Sequence, residues 1–273
     1  MQTQKEGKTS GSKSWDGRWR IAGTTFRGLL LLAGIAGLTF LTRAADENFH
    51  KIYPLAAGGS FALENVNGSV QVEGWSRDEV EVSAVKTGRN DPHDVDQVKI
   101  EVESSPGAVA VHTCYPKGQG AEVAVEYHVH VPYRVLLGSI ETVNGSVTVR
   151  GVEGGGELKS VNGNVEVFDS AGRFSEKTTN GNLRLELRQL MAGGPMNLET
   201  VNGSVLLGLP PGARGDLKVL SMNGEFYSEL PVISSAGAPA ARAFRAKLGT
   251  GGGEISVRTI NGGIRLVVQR PGV

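Results

Sequence analysis

Between residues 65 and 264 the chain keeps returning to one pattern: apolar and polar positions alternate, break at Asn-Gly, then alternate again. The phrase reads NVNGSV at 65–70, TVNGSV at 142–147, SVNGNV at 160–165, TTNGNL at 178–183, TVNGSV at 200–205, SMNGEF at 221–226 and TINGGI at 259–264. Aligned on the asparagine, the flanks repeat too. Four positions before it stand Leu63, Ile140, Leu158, Glu176, Leu198, Val219 and Val257, apolar except for Glu176. Three after it stand Val70, Val147, Val165, Leu183, Val205, Phe226 and Ile264; the column five after is apolar except at Ser228. Two before it, every unit has Asn, Ser or Thr. Alternation rich in β-branched residues predicts a strand on each side of every Asn-Gly.

Two architectures compete for that pattern. Asn-Gly accepts φ > 0 at low steric cost, so a two-residue hairpin is one reading. It would face Val143 with Ser146 and Val201 with Ser204, mixing apolar and polar on each face. The other reading is a corner where side-chain parity resets, with successive units stacked about 4.8 Å apart. Most gaps between asparagines are 18 to 22 residues, a plausible coil length. The expected fold is therefore all-β: a single-domain, parallel β-helix-like β-solenoid of T-V-N-G-x-V repeats. In it Val143, Val161 and Val201 point inward and Ser160 lies on a polar column. The last gap, 38 residues, suggests a unit that has lost its Asn-Gly, supplied by 242–268 with Phe244, Ala246 and Leu248 alternating.

The rest of the chain divides around this array. Residues 1–45 combine a basic stretch, the apolar run Gly28–Leu41 and small residues, the order of an export signal or, if uncleaved, a membrane anchor over 21–42. Basic residues before the apolar run keep the N-terminus cytoplasmic, so the β part is expected outside the cytoplasm: periplasm, cell envelope or cell surface. Residues 46–136 form an N-terminal β region expected to cap the stack, and 137–273 the repeat array. In the first region Val123, Val125, Tyr127, Val129 and Val131 alternate with Ala124, Glu126, His128 and His130. Gly154–Gly156, Gly193–Pro195 and Pro210–Gly212 are expected at the corners opposite Asn-Gly, and 231–241 as a surface loop.

Composition narrows function. The chain has 273 residues, 39 of them glycine, and formal net charge zero. No electrostatic bias toward nucleic acid follows. Cys114 is the single cysteine, so no intrachain disulfide forms.

The run ENVNGSVQVEGWSRDEVEVSAVK at 64–86, the repeated T-V-N-G-x-V and the closing GTGGGEISVRTINGGIRL carry a resemblance. Together they resemble the DUF4097 family of bacterial envelope proteins, named adhesins by analogy. The resemblance spans about 56–268 and implies a β-solenoid with no catalytic residues to carry over. SMNGEF and TTNGNL depart from the pattern by replacing the valine before the asparagine.

Candidate chemistry is sparse. The fourteen corner residues Asn67, Gly68, Asn144, Gly145, Asn162, Gly163, Asn180, Gly181, Asn202, Gly203, Asn223, Gly224, Asn261 and Gly262 are read as a structural turn ladder, since every unit needs the turn. His128 and His130, with His112 on a neighbouring strand, are the one conceivable metal group, but no ligand spacing supports zinc. Arg214-Gly215-Asp216 spells an integrin-ligand tripeptide, short enough to arise by chance. Cys114 has no base motif around it, and no repeating pair of acids suggests polysaccharide cleavage. The expectation is a non-enzyme without cofactor or metal: an exported, envelope-associated module with an adhesin-like binding or structural role toward a protein or polysaccharide ligand. The alternatives are a membrane-anchored regulatory or scaffold component of an envelope-stress system and, less favoured, a carbohydrate-active enzyme.

Overall fold

The computed structural model describes residues 46–88, 94–116, 123–234 and 243–269. The expected signal or anchor segment lies outside the described residues; among these, no helix is long and apolar enough to cross a membrane. The structure is all-β apart from one helical turn. In chain order the N-terminal elements are β1 (Asp46–Pro54), β2 (Ser60–Glu64), β3 (Val70–Trp75), β4 (Glu79–Gly88), α1 (Asp94–Gln97), β5 (Lys99–Ser105), β6 (Ala108–Cys114) and β7 (Val123–Pro132). Then come β8 (Arg134–Asn144), β9 (Val147–Arg150), β10 (Glu153–Asn162), β11 (Val165–Asn180), β12 (Leu183–Leu190), β13 (Met196–Asn202) and β14 (Val205–Leu209). The chain ends with β15 (Gly215–Asn223), β16 (Phe226–Ser228), β17 (Val232–Ser234), β18 (Ala243–Leu248), β19 (Glu254–Asn261) and β20 (Ile264–Val268).

The two strands flanking an Asn-Gly do not form a hairpin. Each pairs in parallel with the equivalent strand of another repeat. Before the corner the order is β6, β2, β8, β10, the second half of β11, β13, β19, β15. After the corner it is β7, β3, β9, the first half of β11, β12, β14, β20, β16. β11 passes from one run to the other near Asp169, whose φ is 47°. Asparagine sits over asparagine: Asn67, Asn144, Asn162, Asn180, Asn202, Asn261 and Asn223 in spatial order.

That order departs from chain order at the end. After β14 the chain places β15 and β16 one tier farther out. It returns through β17 and β18, antiparallel to each other, and slots β19 and β20 into the gap. The 38-residue gap is therefore an excursion and not a unit lacking its Asn-Gly. Part of the expected surface loop is strand β17, which pairs with β18.

Antiparallel strands cover both ends of the run before the corner and one end of the run after it, where β16 pairs with β20 alone among the described residues. β18 lies against β15, while β5 lies against β6, and β4 and β1 lie beyond β7. Parallel edges left open would offer unpaired backbone to other chains. The cores of the tiers merge into one apolar cluster that runs from Leu55 to Leu266.

Side-chain direction differs from expectation at one column. The positions four and two before the asparagine point inward, as do those three and five after it. The residue immediately before the asparagine points outward: Val161 is 41% exposed, and Val66, Val143 and Met222 are exposed as well. Ser160, expected on a polar column, is 5% exposed. The corner's own hydrogen bonding explains the reversal, because the inward hydroxyl has a backbone acceptor to reach.

Candidate functional site

The Asn-Gly corner satisfies three demands in every tier. Each asparagine amide donates to the amide oxygen of the next, in an unbroken row of six bonds of 2.7–2.9 Å through all seven residues. The hydroxyls of Thr142, Ser160, Thr178, Thr200, Thr259 and Ser221 each donate to the glycine carbonyl of an adjacent tier at 2.8–3.1 Å. Asn65 takes this place in the first unit. Its neighbour β6–β7 lacks an Asn-Gly, and its longer amide reaches the Val125 carbonyl at 2.9 Å. A Cβ added to any of the seven glycines would collide with a backbone carbonyl of the adjacent tier. Close approach, more than dihedral freedom, thus dictates glycine here: Gly68 has φ 115°, Gly262 at 158° is nearly extended, and the other five are not in the left-handed region. Apart from the buried Asn65 Oδ1, which has no partner among the described residues, the inward polar groups of the corner are consumed by its own stacking.

The outer face of the β12–β14–β20–β16 run is different. Four positions after each asparagine, the outward column reads Glu166, Arg184, Leu206, Arg265 and Tyr227 in spatial order, each in register with the next. These residues floor a shallow open groove of about 990 Å³. One rim carries Asn164, Asn182 and Ser204, whose side-chain oxygens already accept backbone N–H groups of the next tier. The other rim is Glu229 and Val267. Arg184 is fixed by Glu186, at 2.7 and 2.8 Å, and lies over the Phe168 ring. Tyr227 is 57% exposed, and neither its hydroxyl nor the Arg265 guanidinium has a hydrogen-bond partner among the described residues. The Tyr227 ring, the Arg265 guanidinium and the Glu166 carboxylate thus stand uncommitted on the floor, while Glu229 on the rim already accepts the Val268 N–H at 3.1 Å. Sequence reasoning missed this column. Its signal is variation: the columns beside it stay almost wholly apolar, whereas this one mixes acidic, basic, polar, aromatic and aliphatic residues.

The other candidates are scattered. His130 stacks on Trp75 with ring centroids 5.0 Å apart, between Glu73 and Glu81 at 3.7 and 3.9 Å. His128 lies in register between Ser83 and Gln71, and His112 lies 3.3 Å from Glu64 on the other run of strands. The three histidines are not brought together, and no group of three metal-ligating side chains occurs among the described residues. Cys114 ends β6; burial and the nearby Glu101 hold its thiol above its ordinary pKa, the reverse of an activated nucleophile. Gly215 and Asp216 are built into β15, so the tripeptide is not displayed at a loop tip.

One buried group has no use in the groove. Glu176 takes the place of Leu or Val in the inward column, in register between Leu158 and Leu198. It is 1% exposed, and neither carboxylate oxygen has a partner among the described residues. Burial, with a smaller contribution from Glu166, raises its pKa well above the usual carboxylate range.

Comparison with known proteins finds no matching family model and no matching curated protein. The DUF4097 resemblance accordingly rests on the motifs alone. Solved structures similar to this chain include a proposed cell adhesion protein from Clostridium sporogenes, with 12% identity and TM-score 0.45 over 81% of this chain and 99% of that one. A proposed adhesin from Bacteroides fragilis has 10% identity and TM-score 0.39 over 81% and 97%. A proposed lipid-binding protein from Parabacteroides distasonis has 9% identity and TM-score 0.25 over 80% and 96%. These values are too low to carry fold or activity from one protein to another.

Proposed function

We propose that this is an exported cell-envelope protein of β-solenoid architecture with a non-catalytic, adhesin-like role, holding an extended surface ligand in the groove floored by Tyr227, Arg265 and Glu166. The groove itself carries this reading: an exposed aromatic ring and an unpartnered guanidinium lie on a floor of strands held in register, Arg265 on β20 between β14 and β16, and Tyr227 on the edge strand β16. Such a surface needs little ordering when a ligand arrives, which favours binding. The parallel stacking and the Asn-on-Asn register support the solenoid assignment, and the basic-apolar-small order of residues 1–45 supports export. Two measurements test the proposal. Protease added to spheroplasts should degrade the β part; complete protection would argue for a cytoplasmic protein. The full chain should bind an envelope or surface-polymer fraction, and Tyr227→Ala should weaken that binding about tenfold, the usual scale for an aromatic anchor. Equal binding by Tyr227→Ala would remove the groove from the account.

A further inference from the structure

The outer face of the other run of strands carries charges in a definite order. Three positions before the asparagine, and continuing onto β6 and β5, one register row reads Glu101, His112, Glu64, Glu141, Lys159, Lys177, Glu199, Arg258, and then runs on into the uncharged Leu220 and Ala243. About the point between Glu141 and Lys159 the eight titratable positions are antisymmetric. Glu141 mirrors Lys159, Glu64 mirrors Lys177, His112 mirrors Glu199 and Glu101 mirrors Arg258. Beside it runs the outward column Val66, Val143, Val161, Thr179, with Val143 and Val161 mirroring each other about the same midpoint. A hollow of about 370 Å³ lies between the two columns over these same four tiers.

We propose that this face is the interface of a homodimer, its occupant a second copy of this chain. A two-fold axis along the strand direction, between β8 and β10, reverses the order of the tiers and keeps each column opposite itself. Isologous interfaces need such self-complementarity. The valines then meet across the axis, and each acidic residue of the row faces a basic one of the other copy. Facing sheets pack about 10 Å apart, a gap that lysine, arginine and glutamate side chains span. The exposed valines carry the burial and the row fixes the register. Glu141 and Lys159 already pair within one chain at 2.9 Å, so the centre becomes a ring of four alternating charges. Glu64 and Lys177, with side chains 62% and 61% exposed, are accessible to the partner.

The test is a charge-reversal cycle read by sedimentation of the full chain in neutral detergent. Glu64→Lys and Lys177→Glu each set like charges opposite one another and should weaken the dimer about tenfold or more. The double variant restores opposite charges and should return to within about threefold of the parent, since tenfold corresponds to one lost favourable contact. Val161→Asp should also dissociate the dimer while leaving the monomer folded, its circular dichroism unchanged. Should Lys177→Glu disturb the fold, Glu101→Arg with Arg258→Glu makes an equivalent cycle farther from the axis. A monomer throughout the micromolar range, an oligomer indifferent to the single reversals, or a double variant no tighter than the singles would each overturn the proposal. None of these results bears on ligand binding in the groove of the opposite face.

Discussion

The two corners of each tier solve the same problem differently. At Asn-Gly, all seven tiers use the same three devices: amide row, inward hydroxyl or amide, and glycine packed on a carbonyl. At the opposite corner no single device serves every tier, although Gly151 and Asp169, each seven positions after its asparagine, share a positive φ. β9 reaches β10 through Gly151, at φ 69°, and Val152, whose N–H donates to the Ser170 hydroxyl. β11 never breaks and turns at Asp169. β14 reaches β15 through Pro210, Pro211 and Gly212, and the Arg173 guanidinium donates to the Met191 and Glu254 carbonyls. The difference is one of uniformity. At Asn-Gly the same glycine touches the next tier's backbone in every unit, so its solution is copied. At the opposite corner Gly74, Gly154 and Gly155 make equally close approaches, whereas Gly194 and Gly212 meet nothing within 4 Å, so some tiers accept insertions and their residues diverge.

The largest expected effect turns that contrast into a pair of adjacent substitutions. Ser160→Asp places a charge where the side chain is buried and its oxygen must donate to the Gly145 carbonyl. An uncompensated buried charge costs about 3–5 kcal/mol. Val161→Asp, one residue along, points outward and should cost less than about 1 kcal/mol in the monomer. Chemical denaturation of the two variants reads both. If Val161→Asp proves the more damaging, the inward hydroxyl column is wrong.

Clearance itself comes next. Gly163→Ala brings a methyl group against the Gly145 carbonyl and should cost about 1–3 kcal/mol, the range of strain at an overpacked site. Gly194→Ala, near the opposite corner, meets nothing within 4 Å and should stay within about 0.5 kcal/mol of the parent. Equal melting temperatures for the two variants would mean that the close approach relaxes at little cost.

Glu176 sharpens the comparison from inside the tier, since it breaks an apolar column that the corner otherwise enforces. Glu176→Leu should stabilise by about 2–3 kcal/mol at neutral pH, by removing a buried carboxyl without partners and extending the Leu158–Leu198 column. The pH dependence has a definite sign. Its folded pKa lies above the unfolded value, so the unfolded state releases this proton first. The penalty is absent below the unfolded pKa, near 4.3, and grows as pH rises toward the folded value. The gap between parent and Glu176→Leu should therefore be narrowest near pH 4 and widen with pH. A gap independent of pH would show that Glu176 reaches solvent or a cation.

Much of this was legible in the sequence, for the reason the corners differ. Repetition exposes contact, so the strands, the Asn-Gly corners and the inward columns at Leu158 and Val165 could be read directly. Parity at Val161 could not. An apolar residue just before the asparagine and a small polar one before that recur in nearly every unit, and only the direction of the Ser160 hydroxyl decides which turns in. The excursion that inserts β19 and β20 was illegible because equivalent repeats can pair in several orders. The groove was illegible because Tyr227 and Arg265 occupy a column of mixed chemistry, which no repeat of residue type marks out.

The smallest expected effect concerns the amide row, the corner's most regular feature. Asn162 donates to Asn144 and accepts from Asn180, so Asn162→Ala removes two bonds from the interior of the row. Asn223 ends the row and makes one such bond, to Asn261. These amides are exposed, so water replaces much of what is lost, and each bond contributes about 0.5–1 kcal/mol net. Asn162→Ala should cost about 1–1.5 kcal/mol and Asn223→Ala about half as much, both by denaturant midpoint with the slope unchanged. The ratio tests whether the row acts locally. If Asn223→Ala costs as much as Asn162→Ala, the end tier is the seam where unfolding begins. If both cost well over 2 kcal/mol, the bonds reinforce one another along the row, and the corner is held by its length as well as by its contacts.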